Sequence, residues 1–346
     1  MSSQRALWLP EEKGKYTLVM KEIQEPGPGE VLVKILATTL NPLDWKIQAY
    51  GFFMVKNYPS IQGHEAAGVI AKLGEGVTNV AKGDKVLFQG FMTNRQATFQ
   101  EYTIASAEQV ALVPDNVSLD QAASIPLALG TAGNALYTPK PTGFGLVPVW
   151  EEGGKGRYSG QAIIIMAGAS AVGQLAIQLA KLSGFSPIIT TASPHNTTLL
   201  KSIGASHVID RHLPSLSLAQ EVAKITSSPV SFVIDAVSLE DTQQAGYNLL
   251  APGGEMAVVL PPTAKAVAGD NKRLFMTYGT FLTPEKRESG ARLYSQLTRM
   301  LAEGDLVPIP IEVLPNGFNG ISSGLDRLQH NLVSGKKLIV RPEETP

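Results

Sequence analysis

The chain has 346 residues, no cysteine and a formal net charge of −1. Without cysteine there is neither a disulfide nor a thiolate metal site, and a reducing, cytoplasmic setting is expected. A charge this near zero leaves no electrostatic footprint for nucleic acid or an anionic membrane, and 44% hydrophobic with 17% charged residues is a globular composition of two-domain length.

The first segment, Met1 to Leu7, lacks a long apolar run, so no signal peptide is expected. Short strands and turns follow. Residues 31–37 read as a strand after the Pro26-Gly27-Pro28-Gly29 turn, and residues 69–73 and 85–88 read as two more. Regular turn spacing makes this part β-rich and barrel-like. A helix is predicted from Ser118, because Ser118-Leu119-Asp120-Gln121 fits the capping box. Residues 139–160 are rich in Gly and Pro, carry Trp150 and Arg157, and read as a surface insertion rather than a lid.

Beyond this point the pattern alternates. Strands are predicted at 163–166, 187–191, 207–209, 231–235 and 255–259, with helices at 174–181, 196–203, 218–225 and 239–250. Continuous apolar strands between helices mean a parallel, doubly wound sheet. A helix over 284–302 and a strand over 337–340 close the chain. Residues 162–180 carry no charge and are long enough to mimic a membrane span, but β-branched residues give way to a helical pattern across a Gly/Ser turn, so the segment reads as strand plus helix.

That turn is Ala167-Gly168-Ala169-Ser170-Ala171-Val172-Gly173. Small residues between a buried strand and a helix let backbone N–H groups approach a pyrophosphate without side-chain clash. The fingerprint is imperfect, since Ala171 stands where a middle glycine often sits, but the flanking strand and helix supply the required context.

The order of β-rich domain, Rossmann domain and short β return resembles the medium-chain dehydrogenase/reductase superfamily. Gly63-His64-Glu65, Gly68, Gly74 and Val77 fit its Gly-His-Glu signature. Asn41-Pro42-Leu43-Asp44-Trp45-Lys46 resembles the Asn-Pro-x-Asp-x-Lys segment of the quinone and enoyl reductase branches. Residues 204–210 and 335–340 are also typical. The resemblance implies an α/β chain with a GroES-like β-rich domain (residues 1–127), a Rossmann NADPH-binding domain (128–303) and a return segment (304–346). Residues 192–196 and the 139–160 insertion are similar to fungal trans-acting enoyl reductases that partner polyketide synthases.

Zinc members of this superfamily hold their metal with cysteine, histidine and a second cysteine or carboxylate. Here Asn41 matches the first position, the last falls near Leu127, and His64 stands with Glu65 beside it. A catalytic zinc needs about three protein ligands, so no metal is expected and His64 reads as structural or cleft-lining. Without that Lewis acid, reduction of an activated C=C is the less demanding chemistry. Hydride reaches the β-carbon, charge grows on an enolate oxygen that ordinary donors stabilise, and the α-carbon takes a proton.

The end of the second Rossmann strand, Thr190-Thr191-Ala192-Ser193, has no carboxylate. A carboxylate there binds the ribose hydroxyls of NAD and repels a 2′-phosphate. Ser193, His195, Asn196 and Arg211 are the local donors, so NADPH is the expected cofactor; Ser193 to Asn196 also reads as a plain helix cap. By resemblance, Thr131, Val259 and Leu260 lie near the nicotinamide, Gly168, Ser170, Ala171, Val172 and Gly173 along the pyrophosphate, and Val237 by the ribose. Lys337 and Leu338 are further cofactor contacts; Val259 and Leu338 read equally as core and Lys337 as half of a solvated lysine pair.

Lys46 is the first catalytic candidate, holding ribose or carbonyl or relaying a proton, against a surface lysine paired with Asp44. Asn41 is the second, against an Asn-Pro turn residue, and Tyr50 a third. Trp45, Phe52, Phe53 and His64 are expected at the substrate pocket, with Tyr278 and Phe281 on its other side. The function expected is a zinc-independent, NADPH-dependent reductase of an enone, enal or enoyl thioester, the last delivered by a polyketide synthase acyl carrier in the most specific version. The alternatives are an NADPH quinone oxidoreductase and a non-catalytic NADPH-binding protein. A monomer or homodimer is expected.

Overall fold

The computed structural model describes residues 3–51, 55 and 57–346. They form two compact units. The first comprises the described residues of Met1–Leu127, with Phe281–Gly304 and Pro308–Pro346; the second comprises Ala128–Thr280 and Asp305–Val307.

In the first unit, β1 (Ser3–Leu9) pairs antiparallel with β2 (Thr17–Glu22). The long strand β3 (Glu30–Thr39) leads into α1 (Pro42–Tyr50). The alternative reading of Asn41 as an Asn-Pro turn residue gives way to a helix start, since proline at the first helical position has no N–H to lose and a φ suited to the helix. Asp44, three residues after Asn41, accepts the Asn41 N–H at 2.7 Å and completes the helix start. Then follow β4 (Ser60–Ile61), β5 (Glu65–Leu73), β6 (Lys85–Gln89), β7 (Tyr102–Ser106), β8 (Val110–Leu112) and the short α2 (Leu119–Ala122). Ser118 caps α2 with Gln121 in the expected box.

The helix α3 (Pro126–Tyr137), which the sequence reading left unassigned, leads to the second unit. There β9 (Ile163–Met166), α4 (Ala171–Ser183), β10 (Ile188–Ala192), α5 (Thr197–Ser202), β11 (His207–Asp210), α6 (Ser215–Ile225), β12 (Phe232–Asp235), α7 (Glu240–Leu249), β13 (Glu255–Val258) and β14 (Arg273–Met276) alternate. Among the described residues the strands form one parallel sheet in the order β11-β10-β9-β12-β13-β14, the doubly wound order of a dinucleotide fold. Ile163 to Met166 are all buried, as a strand covered on both faces requires. The strand β14 escaped the sequence reading because its side chains are mostly half-buried and it opens on Arg273, which pairs with Glu255.

Residues 139–160 hold no helix or strand. They are anchored by packing within the second unit. Trp150 meets Tyr137 edge-on at 4.9 Å, Tyr158 stacks on Phe185 at 5.2 Å, and the Gly156 N–H reaches the Leu182 carbonyl at 2.9 Å.

The chain then returns to the first unit through α8 (Arg287–Ala302), β15 (Ile311–Val313), α9 (Ile321–Gln329) and β16 (Lys337–Val340). The sequence reading put the α8 residues in the Rossmann domain. The structure groups them with the first unit instead, because α8 lies against β8: Thr298 donates to the Leu112 carbonyl and Asn116 to the Leu301 carbonyl. Within the large sheet of this unit the strands run β15-β16-β3-β5-β6-β8. Thus β16, near the end of the chain, lies beside β3, and β3 lies beside β5. The expected fold class, a GroES-like β-rich part with a doubly wound parallel α/β part, is the one observed. Among the described residues no helix is long and apolar enough to cross a membrane.

Candidate active site

The strand order just described brings four chain segments to one point in the first unit. Thr39 ends β3, Asn41 precedes α1, Glu65 begins β5 and Lys337 begins β16. Their side chains form one buried network. The Lys337 ammonium pairs with Glu65 Oε1 and donates to Asn41 Oδ1 at 3.0 Å. Asn41 Nδ2 donates to the same Glu65 oxygen at 2.9 Å, and Thr39 Oγ1 donates to it as well. The other oxygen, Oε2, accepts the Leu127 N–H at 2.8 Å. Glu65 is fully buried and Lys337 is 4% exposed.

This pairing splits the two lysines. Lys336 reaches Glu312 at the surface, whose carboxyl is held down to about 2 by hydrogen bonds from Arg327 and Lys336. Lys337 points inward, with two of its three N–H donors engaged on Asn41 and Glu65. Leu338 is core.

A second buried pair adjoins the first. His64 Nδ1 lies 2.8 Å from Asp44 Oδ1, which also accepts the Gly63 N–H at 3.3 Å. The pairing of Asp44 with Lys46 considered in the sequence reading is therefore replaced by one with His64. His64 Nε2 is buried and has no hydrogen-bond partner among the described residues. The hydroxyl of Tyr16, also buried and unpartnered, is raised well above its usual range by burial first and by Asp44 second.

Lys46, Trp45 and Tyr50 all lie on α1. Lys46 is half-buried, its ammonium 5.6 Å from the centre of the Trp45 ring, and burial lowers its pKa. Tyr50 is 63% exposed and meets Trp45 edge-on at 5.6 Å. Phe281 is buried against Gly290 and accepts from Gln109 through its carbonyl. Phe52 and Phe53 lie outside the described residues. Among the described residues no three His, Cys, Asp or Glu side chains gather as a metal-holding group.

In the second unit, the turn from β9 to α4 is tight. Ala167 adopts φ 58°, and its N–H bonds Thr191 Oγ1 at 3.0 Å. A Cβ on Gly168 would stand 2.0 Å from Thr190 Oγ1, and one on Gly173 2.4 Å from the Ala167 carbonyl oxygen. Ser170 caps α4 by accepting the Gly173 N–H at 3.0 Å. The N–H groups of Ala171 and Val172, in the first turn, have no intrahelical acceptor and suit an anion. This cradle fits a pyrophosphate.

The hydroxyls of Thr190 and Thr191 serve this turn, Thr190 donating to the Ile165 carbonyl. Ser193 and Arg211 come together instead, Arg211 Nε donating to Ser193 Oγ at 2.8 Å. Arg211 is exposed and makes no ion pair among the described residues. Asn196 is buried, its amide 3.1 Å from His195 Nε2. Thr131 is buried on α3, while Tyr278 and Val237 are exposed. Val259 donates its N–H to Ser238 Oγ at 2.8 Å, and Leu260 follows it half-buried.

The sequence reading missed Asp235, fully buried at the end of β12, and Thr39. In the sequence Glu65 stands only as part of a signature. An acid closing an apolar strand and an acid inside a Gly-His-Glu run were the available signals.

Residues 27–115 match the alcohol dehydrogenase GroES-like domain, and residues 171–297 match the zinc-binding dehydrogenase domain. The chain is 30% identical to the trans-enoyl reductase grgB of a Penicillium species, over 95% of each chain. Its fold is similar to that of the CurK enoyl reductase, with a TM-score of 0.79 at 22% identity, covering 98% of this chain and 99% of the other. It is also similar to the quinone oxidoreductase of Coxiella burnetii, with a TM-score of 0.76 at 28% identity over 98% and 99% of the two chains. Two domain matches and a relative aligned over nearly the full length make the chain a member of the medium-chain dehydrogenase/reductase superfamily.

Proposed function

We propose that the protein is a zinc-independent reductase that transfers hydride from NADPH to the activated C=C of an enone, enal or enoyl thioester. The observation that carries this reading is the Lys337–Glu65–Asn41 network, read together with the full-length similarity to trans-enoyl reductases.

The zinc implied by the family's description does not fit these residues. At the positions of the metal ligands stand an amide, Asn41, and an alkyl side chain, Leu127, with His64 alone retaining a ligating group. Asn41 Oδ1 and Glu65 already face the Lys337 ammonium. A second cation beside that ammonium is opposed by like-charge repulsion at short range. No step is therefore routed through a metal.

The dinucleotide fits. The Gly168–Gly173 turn and the first-turn N–H groups of α4 would hold its pyrophosphate. Arg211 and Ser193, with no carboxylate at the end of β10, would hold a 2′-phosphate. When bound, the cofactor would supply hydride to the β-carbon, and the α-carbon would take a proton from a side chain or water. On the chain's side, the Lys46 ammonium orients the ribose or the substrate carbonyl, and Asn41 is fixed by Glu65 and Lys337. Trp45 offers an apolar face. An acyl carrier is the proposed source of a thioester substrate.

The similarity to a quinone oxidoreductase favours quinone reduction as the second reading. The test is oxidation of NADPH by metal-analysed protein with enones, enals, enoyl thioesters, quinones and ketones, NADH in parallel, and product identification. A saturated C=C product without zinc is expected. Turnover of quinones alone would replace the reading with the second one, and ketone turnover that requires bound zinc would overturn both.

A further inference from the structure

Beyond β12 and β13 the backbone is tied by side chains that no binding role accounts for. Asp235 is the last residue of β12 and is fully buried. Its Oδ1 accepts the N–H groups of Val237 at 3.0 Å and Ser238 at 2.8 Å, and its Oδ2 takes the Thr242 hydroxyl at 2.7 Å. Ser238 is held at φ 57°, in the left-handed region that disfavours a side chain. Its hydroxyl donates to the Asp235 carbonyl at 2.7 Å and accepts the Val259 N–H at 2.8 Å.

Gln243, also fully buried, closes the cluster. Its Nε2 donates to the Ser238 and Pro261 carbonyls, each at 3.0 Å, and its Oε1 accepts the Thr263 N–H at 2.7 Å. Two loops from neighbouring strands are thus locked as one piece. They leave the carboxyl ends of β12 and β13, the edge at which open α/β sheets take their ligands. The strand order reverses beside β12, since β9 lies between β10 and β12. On this edge Val237 and Leu239 are exposed.

We infer that Asp235 is a positioning residue for cofactor binding: as a hydrogen-bond acceptor, it fixes the backbone at Val237, Ser238 and Val259 that receives the nicotinamide half of the dinucleotide. This rests on the reading that the second unit binds NADPH. Burial raises the Asp235 carboxyl above its usual range, against the pull of hydrogen bonds from Thr242, Ser238 and Val237. The site thus favours an acceptor over a charge, and an amide of the same shape serves it. In Asp235→Asn, Oδ1 can accept both N–H groups while Nδ2 donates to the Thr242 hydroxyl, which has the Leu239 carbonyl as its own acceptor at 3.0 Å.

The experiment measures NADPH affinity by calorimetry and turnover at saturating NADPH for wild type, Asp235→Ala, Asp235→Asn and Ser238→Gly. The buried Ser238 N–H and the part-buried Val237 N–H lose their acceptor in Asp235→Ala, so its Kd is expected to rise about ten-fold or more with kcat within about two-fold. Asp235→Asn is expected within about three-fold of wild type. Ser238→Gly frees the Val259 N–H without backbone strain and is expected to weaken binding about five-fold; it keeps the inference testable if the alanine variant does not fold. A lowered melting temperature with unchanged Kd in Asp235→Ala, or in Ser238→Gly, would overturn it, as would an Asn variant as weak as the Ala variant. Wild-type protein that binds no NADPH would instead sink the cofactor reading itself.

Discussion

Replacing Lys337 by methionine removes one charge from the buried network while keeping a long, flexible apolar side chain. Glu65 is fully buried, and Lys337 has only 4% of its surface exposed, so solvent does not take the place of the ammonium. Breaking a buried ion pair from one side costs about 3–5 kcal/mol, because the remaining charge is uncompensated. Here Glu65 keeps the donors of Asn41, Thr39 and Leu127, which puts the expected cost at the lower end, about 3 kcal/mol. For a unit of this size each kcal/mol lowers the melting temperature by about 2–4 °C, so a fall of about 6–12 °C is expected. Differential scanning calorimetry is the assay, since two compact units need not unfold in one transition. Glu65→Gln in the Lys337→Met background removes the orphaned charge and is expected to recover about half of the loss. A single variant that melts within about 2 °C of wild type would refute the reasoning, as would a double variant less stable than the single.

Three further outcomes follow from the geometry. In Gly173→Ala the new Cβ meets the Ala167 carbonyl oxygen at 2.4 Å, so the turn must shift, and NADPH affinity measured by titration is expected to fall about ten-fold. Arg211→Gln removes a charge-assisted partner for a 2′-phosphate, so Kd is expected to rise about 10- to 100-fold for NADPH and stay nearly unchanged for NADH; equal losses would reduce Arg211 and Ser193 to a surface contact. Burial lowers the Lys46 pKa, so if the ammonium form serves the reaction, activity falls on the alkaline side at a lower pH than an ordinary lysine would give. Lys46→Arg is expected to move that limb upward and Lys46→Met to cut kcat more than it raises the Kd of NADPH, and an unchanged pH–rate profile would count against Lys46.

The tight turn from β9 to α4 was legible in the sequence because its determinants are local. A run of buried β-branched residues, small residues that admit no Cβ, a capping serine and an amphipathic helix all fall within one stretch of chain, and each acts on its neighbours. The same holds for the alternation of strands and helices that fixes the doubly wound class, whereas β14, half-buried and opening on Arg273, gave no such signal. The α1 helix failed to show because Asn-Pro starts both turns and helices, and Asp44 decides between them through a hydrogen bond to the Asn41 backbone.

What the sequence by itself determined is therefore the class of fold, the tight small-residue turn that opens α4 and the lack of a thiolate metal site. The partners of its charged residues were decided only by the tertiary structure. Lys337 reads as half of a surface pair, and Glu65 as part of a signature, until the sheet sets β16 against β3 and β3 against β5. That register joins residues 272 positions apart and turns a lysine into the buried counter-charge of Glu65. Strand pairing across such distances depends on the packing of whole faces, which no local pattern records, and so the electrostatics of the site had to wait for the fold.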